Sequence, residues 1–168
     1  MPKLNQSIFR EYDIRGHESE EELNFETIEL IARGYAAFLH KRGIDKVVVG
    51  HDNRQSSEEF YKAAVKGLVE SGVKVFGIGL SLTPQMYWAQ YFFESQGCLM
   101  ITASHNPAGW NGVKLALGYS YTLMREELLE VDKNKKKEEF VEGEGTLVEQ
   151  NIFEDWAKDL LSRVRLHK

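Results

Sequence analysis

The stretch KVVVGHDNRQSSEEFYKAAVKGLVESGVKVFGI, residues 46–78, changes its hydrophobic period twice and decides the fold. Lys46 to Gly50 is short, β-branched and uninterrupted, the pattern of a strand covered on both faces. Ser56 and Glu59 stand three apart, as in a capping box that opens a helix. Phe60, Ala63, Ala64, Leu68 and Val69 then fall on one helical face, and Gly72 closes it. Val73 to Ile78 returns to strand character. The unit reads β-α-β.

The alternation continues on both sides. Upstream, Phe25, Ile28, Ile31, Tyr35, Phe38 and Leu39 line one face of a helix that Lys41-Arg42-Gly43 ends. Downstream, Thr83-Pro84 has the form of an N-cap followed by a first-turn proline. The helix it opens carries Met86, Tyr87, Ala89, Gln90, Tyr91 and Phe93, and Gly97 breaks it. Cys98 to Thr102 is a third strand, and Val113 to Leu117 a fourth beyond the loop 103–111. This order predicts an α/β chain: a three-layer α/β/α sandwich with a mostly parallel, mixed sheet in a single domain. Arg125 to Phe140 is so charged that it reads as a solvated helix or helix plus loop. Gly143-Glu144-Gly145 marks a turn, and Thr146 to Val148 a short strand or extended connector. Phe153, Trp156, Ala157, Leu160, Leu161 and Val164 form one helical stripe. There is no internal repeat.

Composition sets outer bounds. The 168 residues are 42% hydrophobic, with 21 Lys+Arg against 26 Asp+Glu for a net charge of -5. That balance argues against a dedicated nucleic-acid binder, which needs clustered cations to neutralise phosphates, but not against a small phosphorylated ligand. The lone cysteine, Cys98, excludes an internal disulfide and a cysteine-rich zinc site, and its apolar neighbours predict a buried thiol. No stretch reaches the length of a membrane span and the N-terminus lacks a signal-peptide core, so the expectation is a cytoplasmic protein with no membrane partner.

Three polar segments could carry chemistry. Thr102 to Lys114, TASHNPAGWNGVK, packs Ser104, His105, Asn106 and Asn111 directly after a buried strand, where α/β sheets bind ligands. A solvated connection rich in turn formers accounts for the same composition. The glycines of a hydrolase nucleophile elbow are missing around Ser104, and neighbouring side chains point apart, so a Ser104–His105 dyad is not expected. A Walker A loop is absent. Phe9 to Gly16, FREYDIRG, sets Arg10 and Arg15 beside Tyr12. Arginine offers a planar fork for phosphate, and a structural ion pair with Asp13 or Glu11 fits the same residues. Gly50 to Ser57 joins a strand to a helix whose N-terminus could hold an anion, and an Asx-type turn explains it equally well.

Together these segments resemble the α-D-phosphohexomutase superfamily, in the form typical of its phosphomannomutase/phosphoglucomutase members. FREYDIRG is similar to the opening motif, Val49 to Arg54 to the second, and Thr102 to Pro107 followed by Asn111 to Lys114 to the phosphoserine loop. The resemblance covers essentially the whole chain, as the first of four domains. It implies an excised or truncated N-terminal domain, residues 1–168, without domains II–IV. Ser104 matches the serine that carries a phosphoryl group and donates it to a hexose 1- or 6-phosphate. The hexose 1,6-bisphosphate intermediate reorients and returns its other phosphate. Arg15 and Lys114 match residues near the phosphoserine, suited to proton transfer or to stabilising the transferring phosphoryl. His105 matches a neighbouring active-site position, and Tyr12 lines the same region. The resemblance also implies Mg2+, held through the phosphate on Ser104 and by aspartates of the second domain; the Asp-x-Asp-x-Asp pattern does not occur in this sequence. The partners it implies are a phosphohexose substrate and the remaining domains of the same polypeptide, and the domain alone is expected not to turn over. The alternatives are a phosphoglucosamine mutase domain and a stand-alone binding or regulatory module.

Overall fold

The computed structural model describes residues 6–136 and 140–165. After a 3-10 turn at Gln6–Ile8, the elements are β1 (Ile14–His17), α1 (Phe25–His40), β2 (Lys46–His51), α2 (Ser57–Val69), β3 (Lys74–Leu80) and α3 (Thr83–Phe92). They continue with β4 (Gly97–Ile101), β5 (Trp110–Leu117), α4 (Arg125–Lys136), β6 (Thr146–Glu149) and α5 (Phe153–Arg163). The strands form one six-stranded sheet in the order β1-β5-β4-β2-β3-β6. β4, β2, β3 and β6 run parallel, while β5 pairs antiparallel with both β4 and β1. The mostly parallel, mixed sheet expected from the sequence is the one observed.

The period-2 alternation of the strands separates two cores. Val47, Val49, Leu99, Ile101, Val113 and Leu115 face one way and pack with α1, α2 and α4. Val48, Cys98, Met100 and Ala116 face the other way, under α3 residues Met86 and Ala89. Tyr35 crosses the larger core to the sheet: its hydroxyl accepts from the Cys98 amide at 3.1 Å and donates to the Ala116 carbonyl. Cys98 is fully buried and free, and desolvation pushes its thiol well above the ordinary range.

Four local expectations change. The N-cap of α3 is Leu82, and Thr83 is the first residue of the helix itself, with Pro84 in its first turn. The Ser56–Glu59 box does not form: Ser56 sits in helical backbone (φ -86, ψ -9) and its side chain makes no capping bond. α4 is a helix, but not a solvated one. Leu128 and Val131 join the larger core, and Asn134, 3% exposed, accepts from Lys41 Nζ at 2.8 Å. Polar residues bury when they are partnered, which a charge count does not register. The end of the charged run, Lys137 to Glu139, lies outside the described residues. On α5, the apolar stripe is largely exposed, with Phe153 at 58% and Leu161 at 67%. The helix is tied to α3 by Trp88 Nε1 donating to Asp159 at 2.9 Å. Among the described residues no helix is long and apolar enough to cross a membrane.

Candidate active site

β2 and β4 are parallel neighbours, so the segments leaving their carboxyl ends emerge side by side at one edge of the sheet. The first, after β2, is built around Asp52. Its Oδ1 accepts from the Arg54 amide at 3.1 Å, an Asx turn, and from Ser57 Oγ at 2.5 Å. The turn reading of this segment is therefore the one the structure bears out. Asn111, fully buried at the start of β5, donates through Nδ2 to Ser56 Oγ (2.7 Å) and Ser57 Oγ (3.0 Å). Ser56 thus serves the neighbouring strand instead of its own helix.

Arg54 then reaches across to the second segment. Its guanidinium donates to Asp52 Oδ2 (3.2 Å), to the carbonyls of Pro107 (3.0 Å) and Trp110 (3.1 Å), and to those of Ser104 (2.9 Å) and Asn106 (2.7 Å). Those bonds occupy all five N–H donors of the side chain. The loop held in this way carries Ser104 in exposed, left-handed backbone (φ 57). That conformation costs a residue with a Cβ on the order of 1–2 kcal/mol. The Ser104 amide donates to Thr102 Oγ1 at 2.9 Å, and Ser104 Oγ lies 3.3 Å from His105 Nδ1. The contact expected to be missing is present. Adjacent side chains diverge in extended backbone, and the positive φ at Ser104 removes that condition.

The cations cluster around a residue the sequence offered only as an ion-pair partner. Asp13 is 3% exposed and its Oδ2 meets both Arg15 (Nη2, 2.6 Å; Nε, 2.8 Å) and Lys114 Nζ at 3.3 Å. One carboxylate (−1) against two cations (+2) leaves a local net charge of +1. Arg15 also donates to Asn106 Oδ1 at 3.0 Å, which ties the cluster to the serine loop. Lys114 Nζ stands 4.9 Å from the ring centroid of half-exposed Tyr12, a cation–π distance. The approach of β1 to β5 depends on Gly112: a Cβ there would lie 2.4 Å from the Ile14 carbonyl oxygen.

Tyr12, Arg15 and Lys114 are thus brought together through Asp13, and Ser104 is brought to His105. The two groups meet at Asn106 but border different depressions. One, of about 300 Å³, is lined by Arg10, Glu11, Tyr12, Asp13, Arg15, Asn106 and Trp110. The other, of about 280 Å³, is lined by Ser104 together with Glu18, Asp52, Asn53, Arg54 and neighbouring loop residues. Among the described residues no three His, Cys, Asp or Glu side chains converge as a metal site. Asp52, the carboxylate closest in chain connectivity to Arg54, is already engaged by Arg54 and Ser57. Among the described residues the carboxylates do not by themselves make a Mg2+ shell.

Known proteins agree with this architecture. A family model described as phosphoglucomutase/phosphomannomutase, alpha/beta/alpha domain I, matches residues 6–142. The chain belongs to the phosphoglucomutase/phosphomannomutase family. A phosphomannomutase/phosphoglucomutase of Pseudomonas aeruginosa is 33% identical over 167 residues, 99% of this chain and 36% of that protein. A phosphoglucomutase of Neisseria meningitidis serogroup B is 32% identical over 170 residues, again 36% of its length. A Klebsiella pneumoniae phosphomannomutase is 46% identical over 109 residues, 65% of this chain and 67% of that protein. The crystal structure of a family member from Burkholderia thailandensis superposes with a TM-score of 0.92 at 27% identity, covering 99% of this chain and 38% of that one. The chain therefore spans a little over a third of the length of most of these family members.

Proposed function

We propose that this chain supplies the phosphoryl-carrying serine of an enzyme that interconverts hexose 1-phosphates and hexose 6-phosphates. The observation that carries the reading is the position of Ser104. It stands exposed on a pinned loop at the carboxyl edge of the sheet, linked through Asn106 to a cation cluster with one positive charge in excess. Family membership of residues 6–142 supports it, as do relatives named phosphomannomutase/phosphoglucomutase and phosphoglucomutase.

In this reading a hydroxyl oxygen of the hexose phosphate attacks the phosphorus carried on Ser104. The bond from phosphorus to Oγ breaks, the bond to the sugar oxygen forms, and the hydroxyl proton passes to a base. The resulting hexose 1,6-bisphosphate turns over and gives its other phosphoryl group back to Ser104. Such transfers rest on positioning and on charge placed where negative charge spreads. Arg15 and Lys114 supply that charge, and Tyr12 steadies Lys114. His105 Nδ1, 3.3 Å from Oγ, is placed to hold or return the serine proton. Mg2+ held through the phosphate on Ser104 would neutralise phosphate charge; among the described residues no carboxylate cluster completes its shell.

The test is Ser104→Ala in the polypeptide as its own cells express it, assayed for hexose phosphate interconversion. Loss of turnover with an unchanged unfolding transition is expected. Turnover at the wild-type rate would overturn the reading.

A further inference from the structure

We infer that Arg54 is the positioning residue for Ser104: it sets the conformation of the serine loop without touching the transferred phosphoryl group. The inference rests on the reading of Ser104 given above only for its kinetic consequence; the loop-holding claim stands on geometry alone. Four of the five acceptors around the guanidinium are main-chain carbonyls of Ser104, Asn106, Pro107 and Trp110. They lie 50 to 56 residues away in sequence, so the contact joins two segments that the backbone does not. Other ties to the fold reach the loop elsewhere: Arg15 donates to Asn106 Oδ1 at 3.0 Å and the Glu18 amide donates to the Gly109 carbonyl at 2.9 Å, and neither engages the main chain of Ser104. The loop's own bonds include Asn106 N to Ala103 O at 3.1 Å and Ser104 N to Thr102 Oγ1 at 2.9 Å. The first closes a four-residue turn with Ser104 at its second position, where the primed turn types take positive φ, so it shapes the turn but does not by itself join the turn to α2.

The guanidinium is itself fixed. Asp52 Oδ2 accepts from Arg54 Nε, and Asp52 Oδ1 is anchored by the Ser57 hydroxyl at the start of α2. The Arg54 side chain is only 16% exposed. Rigidity therefore passes from α2 through Asp52 and Arg54 into the loop. Because a trans peptide opposes its C=O and N–H, turning the Ser104 and Pro107 carbonyls toward Arg54 turns the His105 and Ala108 amides away from it. The charge of Arg54 is spent on Asp52 and the carbonyls, which leaves the anion to Arg15 and Lys114. Lysine cannot replace it. An ammonium has three donors at one point, where this loop is gripped by a planar fork.

The experiment uses the natural-length polypeptide with Arg54→Ala and Arg54→Lys. Amide hydrogen exchange of residues 104–110 reports the loop whether or not the protein turns over. Faster exchange at Ser104 and Asn106, whose amides are bonded within the loop, is expected in both variants with the sheet amides unchanged; unchanged loop exchange would overturn the inference. In the mutase assay, kcat should fall by about 100-fold, the cost of a misplaced reacting group, while KM moves little. Added guanidinium ion should restore part of the rate of Arg54→Ala, and methylammonium should not. A kcat within threefold of wild type would overturn the inference and leave the mutase reading intact. A wild-type protein that fails to turn over would overturn the mutase reading and leave the exchange result to decide on Arg54. Should Arg54→Ala fail to fold, Arg54→Lys, which keeps a cation for Asp52, carries both readouts.

Discussion

The loop 103–110 has two unlike sides. On one, Arg15 and Lys114 share the single carboxylate of Asp13 and keep a positive charge in excess. On the other, Arg54 is neutralised by Asp52 and surrounded by carbonyls, and Ser104 is exposed. Both sides use arginine, yet for different ends. Where an arginine keeps spare charge it can hold an anion; where all five donors are occupied it can only hold shape. The cation side is thus an electrostatic device, sensitive to salt wherever solvent reaches it, and the serine side is a geometric one.

Mutations can break that contrast or refine it. The largest effect is expected from Asp13→Ala, which leaves two partly buried cations facing each other without their carboxylate. Removing one partner from a buried cluster costs about 3–5 kcal/mol, to be read from urea unfolding. The loss should deepen at low salt, and a change below 1 kcal/mol would mean the cations do not depend on Asp13. Asp52→Ala removes hydrogen bonds to Arg54 and Ser57 and leaves one cation instead of two without its carboxylate, so it should cost about 2 kcal/mol, with a weaker salt dependence than Asp13→Ala. The same variant should speed amide exchange in the serine loop, while Asp13→Ala should leave the bonded Ser104 amide unaffected.

Finer differences come next. Ser104→Gly should be more stable than Ser104→Ala by about 1 kcal/mol, because only glycine adopts positive φ without strain. Equal stabilities would mean that the loop relaxes when the serine is lost. Tyr12→Leu should cost least, about 0.5 kcal/mol, since it removes one exposed cation–π contact to Lys114. A double-mutant cycle with Lys114→Met isolates that term, and a coupling near zero would remove Tyr12 from the cation side.

The two sides were not equally legible in the sequence. FREYDIRG displays its cations and its acids together, so an ion pair of Arg10 or Arg15 with Asp13 or Glu11 could be read from spacing, though not which of them forms. Nor could it be read that Lys114, 101 residues from Asp13, shares the oxygen that Arg15 meets. Arg54 was visible as a residue and invisible as a clamp, because its acceptors are carbonyls, which every residue carries. The Ser104–His105 contact was missed for a related reason: it follows from a backbone angle, and serine gives no sign of positive φ. In the fold, β2, β3 and β4 announced themselves through β-branched or apolar runs. β1, with Arg15 and Gly16 among its four residues, did not, since a short edge strand needs no such run. The stripe on α5 was legible as a helix but not as an exposed one, because amphipathicity shows that a face is apolar and says nothing of what covers it.

The central claim concerns one oxygen atom, and one measurement addresses it. The natural-length protein is incubated with hexose 1,6-bisphosphate and its peptides are mapped by mass spectrometry. One transferred phosphoryl group is expected on Ser104, absent from Ser104→Ala. Interconversion of hexose phosphates with no phosphoryl group on Ser104, or with the group on another residue, would contradict it.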